Sequence, residues 1–110
     1  MPLLERVRVE LYLPDPHSPE YEDLLRSLTE EFTYAFGGCS IVRGLERSYL
    51  SALGIRISDR INIIYSDVPL ILATDFGLVA AYVRELKRAA MNALAEEAIL
   101  ISVEQIYHAV

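Results

Sequence analysis

The chain has 110 residues, 53 % of them apolar and 24 % charged, and 16 acids against 10 bases give a formal charge of −6. One core fits this length and two do not, while the apolar fraction excludes intrinsic disorder. The single cysteine excludes an intrachain disulfide and a cysteine-rich zinc module.

From Arg6 to Leu13 the residues alternate, with Val7, Val9, Leu11 and Leu13 on one face and Arg6, Arg8, Glu10 and Tyr12 on the other. That pattern predicts a strand with one side on a core. Pro14-Asp15-Pro16 ends it, and His17 falls in the turn that follows. Ser18 then supplies an N-cap, Pro19 the first helical position, and Glu20, Glu22 and Asp23 an acidic first turn. Tyr21, Leu24, Leu25, Leu28, Phe32 and Ala35 recur at three- and four-residue spacing, so an amphipathic helix runs to about Phe36. Gly37-Gly38 reads as its left-handed stop rather than as a phosphate cradle.

Cys39 to Arg43 predicts a short strand ending at Gly44. Leu45 to Ser58, punctuated by Gly54, fits either an extended hairpin arm or a short helical turn over Arg47 to Ala52. Arg60 to Ser66 is rich in β-branched residues and predicts a strand, broken by Asp67-Val68-Pro69. Thr74 or Asp75 can cap a second helix, whose apolar stripe is Phe76, Val79, Ala80, Val83, Leu86, Ala90, Ala93 and Leu94 and which runs on to Glu97. A last strand spans Ala98 to Tyr107, with Ile99, Ile101 and Val103 on one face and Ser102 and Glu104 on the other.

The order β-α-β-β-α-β is that of the ferredoxin-like split βαβ fold, an α+β single domain with two helices on one face of a four-stranded antiparallel sheet. Right-handed crossovers place the first and third strands at the centre and the second and fourth at the edges. The helix-free face then carries Arg8, Glu10, Tyr12, Ser102 and Glu104, together with Leu100 and Ile64. Such a mixed face is either wet or a subunit interface. The interface is the stronger expectation, because two exposed edges on a small sheet are a liability that assembly covers.

Charge is unevenly placed. Pro14 to Glu31 holds six acids and one base, which accounts for most of the −6, whereas Cys39 to Arg60 is basic through Arg43, Arg47, Arg56 and Arg60. Without a basic stripe, an acidic chain is a poor partner for nucleic acid. No apolar run reaches the ~18 residues of a membrane span, the longest being Val68 to Ala73. Met1 to Arg6 lacks the basic-then-apolar pattern of a signal peptide, and a cytoplasmic protein is expected.

No Walker loop, dinucleotide fingerprint, nucleophile elbow or metalloprotease helix motif occurs, and no cofactor is implied. Acid–base work would draw on Asp59, Asp67 or Tyr49 near the central hairpin. Asp59 also fits a pairing with Arg60 or Arg56, and Asp67 a turn before Pro69. Arg43, Arg47 and Arg60, with Tyr49, form the best candidate for holding a small anion, because arginine binds carboxylate or phosphate in a planar, two-pronged way. Surface charge and inter-subunit salt bridging are the competing account of the same arginines. Cys39 and His108 are the candidate metal ligands, although Cys39 equally fits a buried structural thiol.

The run Cys39-Ser40-Ile41-Val42-Arg43-Gly44-Leu45, followed by Tyr49, Gly54 and Asp59, resembles the middle of the CutA family of small trimeric proteins. In that family a Cys-x-x-Ile-Val-x-Gly-Leu strand leads to a Tyr, a Gly and an acidic residue. The Gly44–Tyr49 and Gly54–Asp59 spacings agree, while the Tyr-to-Gly gap is one residue longer and the Cys-to-Gly gap one shorter. The PII-like signalling proteins share the fold and often the trimer. The resemblance implies a trimer built by a long central hairpin, with clefts between subunits. Two features of the family are missing: its His-Pro-Tyr segment before the last strand has no counterpart, and its Lys-Thr is Tyr65-Ser66 here. Its metal-linked histidine is therefore not carried over.

Together these readings lead to a non-enzymatic homo-oligomeric module, trimeric by preference, that binds a small anionic ligand or a partner protein. A small enzyme with its site on the open sheet face or in a subunit cleft is the alternative, and a structural subunit that docks another protein is a third.

Overall fold

The computed structural model describes residues 2–15, 18–94 and 99–109. Six elements follow in order: β1 (Leu3–Pro14), α1 (Pro19–Phe36), β2 (Ser40–Leu50), β3 (Arg56–Val68), α2 (Leu72–Leu94) and β4 (Leu100–Ala109). The strands form one antiparallel sheet in the order β2-β3-β1-β4, with β1 and β3 central as the crossover rule requires. This is the ferredoxin-like α+β fold. His17 and residues 95–98, where the sequence places a turn, the end of α2 and the start of β4, lie outside the described residues. No helix among the described residues is long and apolar enough to cross a membrane.

The core follows the period-two side of β1. Val7, Val9, Leu11 and Leu13 are fully or almost fully buried against Tyr21, Leu25, Leu28 and Phe32 of α1 and Val79, Leu86 and Ala90 of α2. α1 starts as its residues dictate. The Ser18 hydroxyl accepts the Tyr21 N–H at 3.3 Å, and Pro19 occupies the first turn. It stops at Gly37, whose φ of +85° lets its N–H donate back to Thr33 O at 2.8 Å. The glycine pair is a helix stop.

Several boundaries differ from expectation. β2 does not end at Gly44 but continues through it, with a register shift against β3 between Val42 and Leu45. Gly44 has φ +71°, the left-handed geometry that lets a strand absorb an extra residue and twist onward. Leu45 to Ser58 accordingly belongs to an extended arm, turned at Ser51–Ile55, and not to a helical turn. β3 runs from Arg56 to Val68, longer at both ends than the β-branched run suggests, because ladder bonds to β2 and β1 override the polar residues there. α2 begins at Leu72, ahead of the expected caps. Its first amide donates to the Gln105 side chain of β4 at 2.7 Å, and Asp75 accepts the Ile71 N–H at 2.9 Å. A cap supplied from 33 residues away leaves no local sequence mark.

Ile64 is also placed differently. The β1–β3 register sets it opposite Leu11, so it is buried under the helices rather than on the open face. Ile63 and Tyr65, opposite Tyr12 and Glu10, take the open side.

Among the described residues, Asn62 and Ser66 are the buried polar ones. Asn62 Nδ2 donates to Tyr21 Oη at 2.9 Å and to Asp15 Oδ2 at 3.2 Å, while its Oδ1 accepts the Gly44 N–H at 2.8 Å. Every buried side-chain N or O among the described residues has a partner. Replacing Asn62 with Ala strands the Gly44 amide and leaves the Tyr21 hydroxyl only its 3.5 Å bond to Leu13 O, and should cost about 2–4 kcal/mol in urea unfolding. Gly44→Ala should cost about 1–2 kcal/mol for the left-handed backbone. An added Cβ would also stand 2.9 Å from the Arg60 guanidinium, so Gly44→Ala/Arg60→Ala should recover only the steric part.

Candidate functional site on the open face of the sheet

The open face is built from alternate residues of the two central strands and β4. Arg8 of β1 lies opposite Asp67 of β3 on one side and Glu104 of β4 on the other. Arg8 Nε donates to Asp67 Oδ1 at 2.7 Å and Nη2 to Oδ2 at 2.9 Å, a two-pronged fit that arginine geometry favours. The guanidinium also stacks over Tyr65, 4.7 Å from the ring centre. His108 Nε2 approaches Asp67 Oδ2 from β4 at 3.3 Å. Asp67, which lies in β3 and not in a turn, thus ties β1 through Arg8 and, beyond it, β4 through His108.

The electrostatics follow from these contacts. The Arg8 hydrogen bonds hold the Asp67 carboxyl below its ordinary range despite partial burial, with His108 adding to the effect. Asp67 in turn raises Arg8 further above its already high value. Next to them, Tyr12 Oη donates to Glu10 Oε2 at 2.9 Å, which raises the Tyr12 hydroxyl. Glu104 hydrogen-bonds Glu10, and that contact between two carboxyls pushes Glu104 up. One face therefore holds a carboxyl shifted down beside one shifted up.

The arm carries the other candidate residues, and its alternation divides them. Arg47 and Asp59 are cross-strand partners, and the Arg47 guanidinium binds the Asp59 carboxylate with both prongs and sits 5.0 Å from the Tyr49 ring centre. Asp59 is lowered by that hydrogen bond. It pairs with neither Arg60 nor Arg56, because those residues point to the opposite side of the ribbon, where Arg56 Nε donates to Ser48 Oγ at 2.9 Å. Arg43 binds Glu22 at the start of α1. Of the candidate anion-binding set, Arg47 and Tyr49 are together, Arg43 is engaged elsewhere, and Arg60 lies on the other face beside Gly44. An anion at Arg43 or Arg47 would have to displace a carboxylate already bound there.

Cys39 stands just before β2 and is half-buried, its Sγ 3.7 Å from Thr29 O and 3.9 Å from Thr33 Oγ1. It packs against the core, as a structural thiol does. Among the described residues no three His, Cys, Asp or Glu side chains converge as metal ligands. Asp67 and His108, singled out separately for acid–base and metal chemistry, are instead brought together with Arg8. The missed member was Arg8, and the signal was its place on the polar side of β1. Its partner could not be named without the β1–β3 register.

No protein-family model matches this chain, and no curated protein is detectably similar to it in sequence.

Asp67 contributes stability that is fully present above the ordinary carboxylate range and is lost as pH falls through its lowered folded value. Glu104 acts with the opposite sign, losing stability as pH rises through its raised value, but it is exposed and screened by water. The net expectation is acid sensitivity set by Asp67. Asp67→Asn should cost about 1–3 kcal/mol at pH 7 in denaturant titrations, and the cost should shrink as the pH falls below the ordinary carboxylate range.

Proposed function

We propose that this protein is a self-associating binding module, a homotrimer by preference, in which the β2–β3 arm of one copy engages the sheet of the next. The observation that carries this reading is the arm. Leu50, Leu53 and Ile55 at its tip are 72 %, 86 % and 60 % exposed, an apolar cluster held away from the core. The Cα radius of gyration is 15.3 Å, against about 13 Å for a compact chain of this length, because the arm projects. Leu100 and Tyr107 of β4 and Leu3 of β1 are also largely exposed, so apolar surface is available at the opposite edge of the sheet.

Symmetry favours a ring. The outer edges of β2 and β4 are not equivalent surfaces, and a contact between unlike surfaces closes into a cyclic oligomer or else polymerises. The resemblance to CutA-like and PII-like proteins supports a trimer in the same direction. Carboxylates already occupy Arg43 and Arg47, which favours a protein partner over a free anion as the first ligand of this surface.

Light scattering coupled to size exclusion should give a mass above monomer at micromolar concentration, three chains being the expected value. Leu53→Asp should shift the protein to monomer while leaving its circular dichroism unchanged. A wild-type chain that is monomeric throughout overturns the reading.

A second reading rests on the Asp67–His108 contact. A carboxylate that orients an imidazole is the arrangement a general base uses, and here it lies on the open face. If this face is an enzyme site, Asp67→Asn and His108→Gln should each abolish turnover of a substrate found by screening. Unchanged turnover in the double variant removes this reading.

A further inference from the structure

On the opposite side of the sheet from the polar cluster, the two helices leave a cleft of about 440 Å³ at the C-terminal end of α1. Protein interiors are packed so closely that voids much larger than a water molecule are few. A space of this size falls within the range of small-molecule sites, about 300–1,000 Å³. Its floor is core: Val9 and Val68 are 2 % exposed and Val79 6 %.

We propose that this cleft binds a small, uncharged, largely apolar molecule about the size of two or three aromatic rings. The walls are Ala35 and Phe36 on α1 and Leu78, Val79 and Tyr82 on α2. On α1 they span adjacent residues and on α2 little more than one turn, about 6 Å of axis. A partner helix or strand needs a groove several turns long. This is a pit, closed at one end by the β3–α2 connection through Pro69.

The lining also decides the charge of the occupant. It contains no ionised side chain. Pro69 has no N–H, and the Leu70 N–H is already donated to Val68 O at 2.8 Å, so the closed end offers no amide to an anion. A charged ligand would lose its hydration without a partner. Phe36 and Tyr82 stand edge to face, 4.7 Å between ring centres, which leaves an aromatic wall suited to a ring. The one polar handle is the Tyr82 hydroxyl, a donor to Glu31 Oε1 at a loose 3.5 Å. Burial and the Glu31 charge push it up to about 12, so it remains a proton donor at every physiological pH.

The proposal is independent of the arm and of self-association. Titrating the protein into N-phenyl-1-naphthylamine, a neutral two-part aromatic probe, should raise its fluorescence to saturation at one probe per chain. Ala35→Trp fills the pit from the α1 wall and should weaken binding at least tenfold with little change in Tm. Leu53→Ser, which removes apolar surface from the arm tip, should leave it unchanged. 1-Anilinonaphthalene-8-sulfonate, the nearly isosteric anion, should bind at least tenfold more weakly than the neutral probe. Non-saturating fluorescence overturns the proposal, as does equal binding of the anion. Binding lost in Leu53→Ser but kept in Ala35→Trp would place the probe on the arm and overturn it too. A change of oligomeric mass in Ala35→Trp without any probe binding by wild type would mean that a neighbouring chain fills the pit, which overturns it as well.

Discussion

Asn62 is completely buried in β3, and its carboxamide joins three segments that are distant in sequence. Its oxygen holds the amide of Gly44 at the point where β2 changes register, and its nitrogen holds Tyr21 at the start of α1 and Asp15 at the end of β1. A buried amide must satisfy its groups or cost roughly 1–3 kcal/mol for each one missed, so this geometry has little freedom. The bulge at Gly44 redirects β2 into the arm, and the arm positions Arg47, Tyr49 and Asp59 and the apolar tip. Through Asp15 and Tyr21 the same carboxamide ties the end of β1 to the start of α1.

The charge pattern takes a different meaning in three dimensions. The acidic stretch from Asp15 to Glu31 is mostly the solvated side of α1, but Glu22 reaches the arm and neutralises Arg43. The basic segment is likewise matched, Arg47 by Asp59 across the ribbon. On the open face Arg8 is matched by Asp67. Each arginine with a planar, two-pronged partner is already satisfied within the chain, which is why apolar exposure, and not cationic charge, marks the surfaces most suited to binding. The two faces of the sheet then divide the chemistry: charge, paired carboxyls and the imidazole on one side, an apolar pit between helices on the other.

Much of the fold was legible because its elements carry their own periodicity and punctuation. The alternation of Arg6 to Leu13, the Ser18-Pro19 start and the Gly37 stop are local signals, and local backbone physics obeys them. The strand order follows from handedness. The failures were of another kind. Gly44 reads as a terminator in a linear scan, yet in a paired strand a left-handed glycine makes a bulge, because the partner strand continues the ladder. Ile64 has no local mark of its face, since a single residue of register moves a side chain to the other side of the sheet. Asp59 reads as a partner of Arg60 or Arg56 and Asp67 as a turn residue, yet each binds an arginine of the adjacent strand. In a strand neighbours point apart, and the partner comes from the next strand.

The sequence by itself therefore determined the element order, the ferredoxin-like class, the buried face of β1 and both ends of α1, since these depend on residues within a few positions of each other. The net charge of −6 and the 53 % apolar content bounded the class, whereas where the charges cancel and which apolar residues stay uncovered follow only from the fold. Tertiary structure alone decided the length of the arm, the cap of α2 by Gln105 and the union of Arg8, Asp67 and His108. It also decided the pit between the helices. Those features are made by residues separated by tens of positions, and register and the spacing of packed layers, which no local pattern encodes, set their distances.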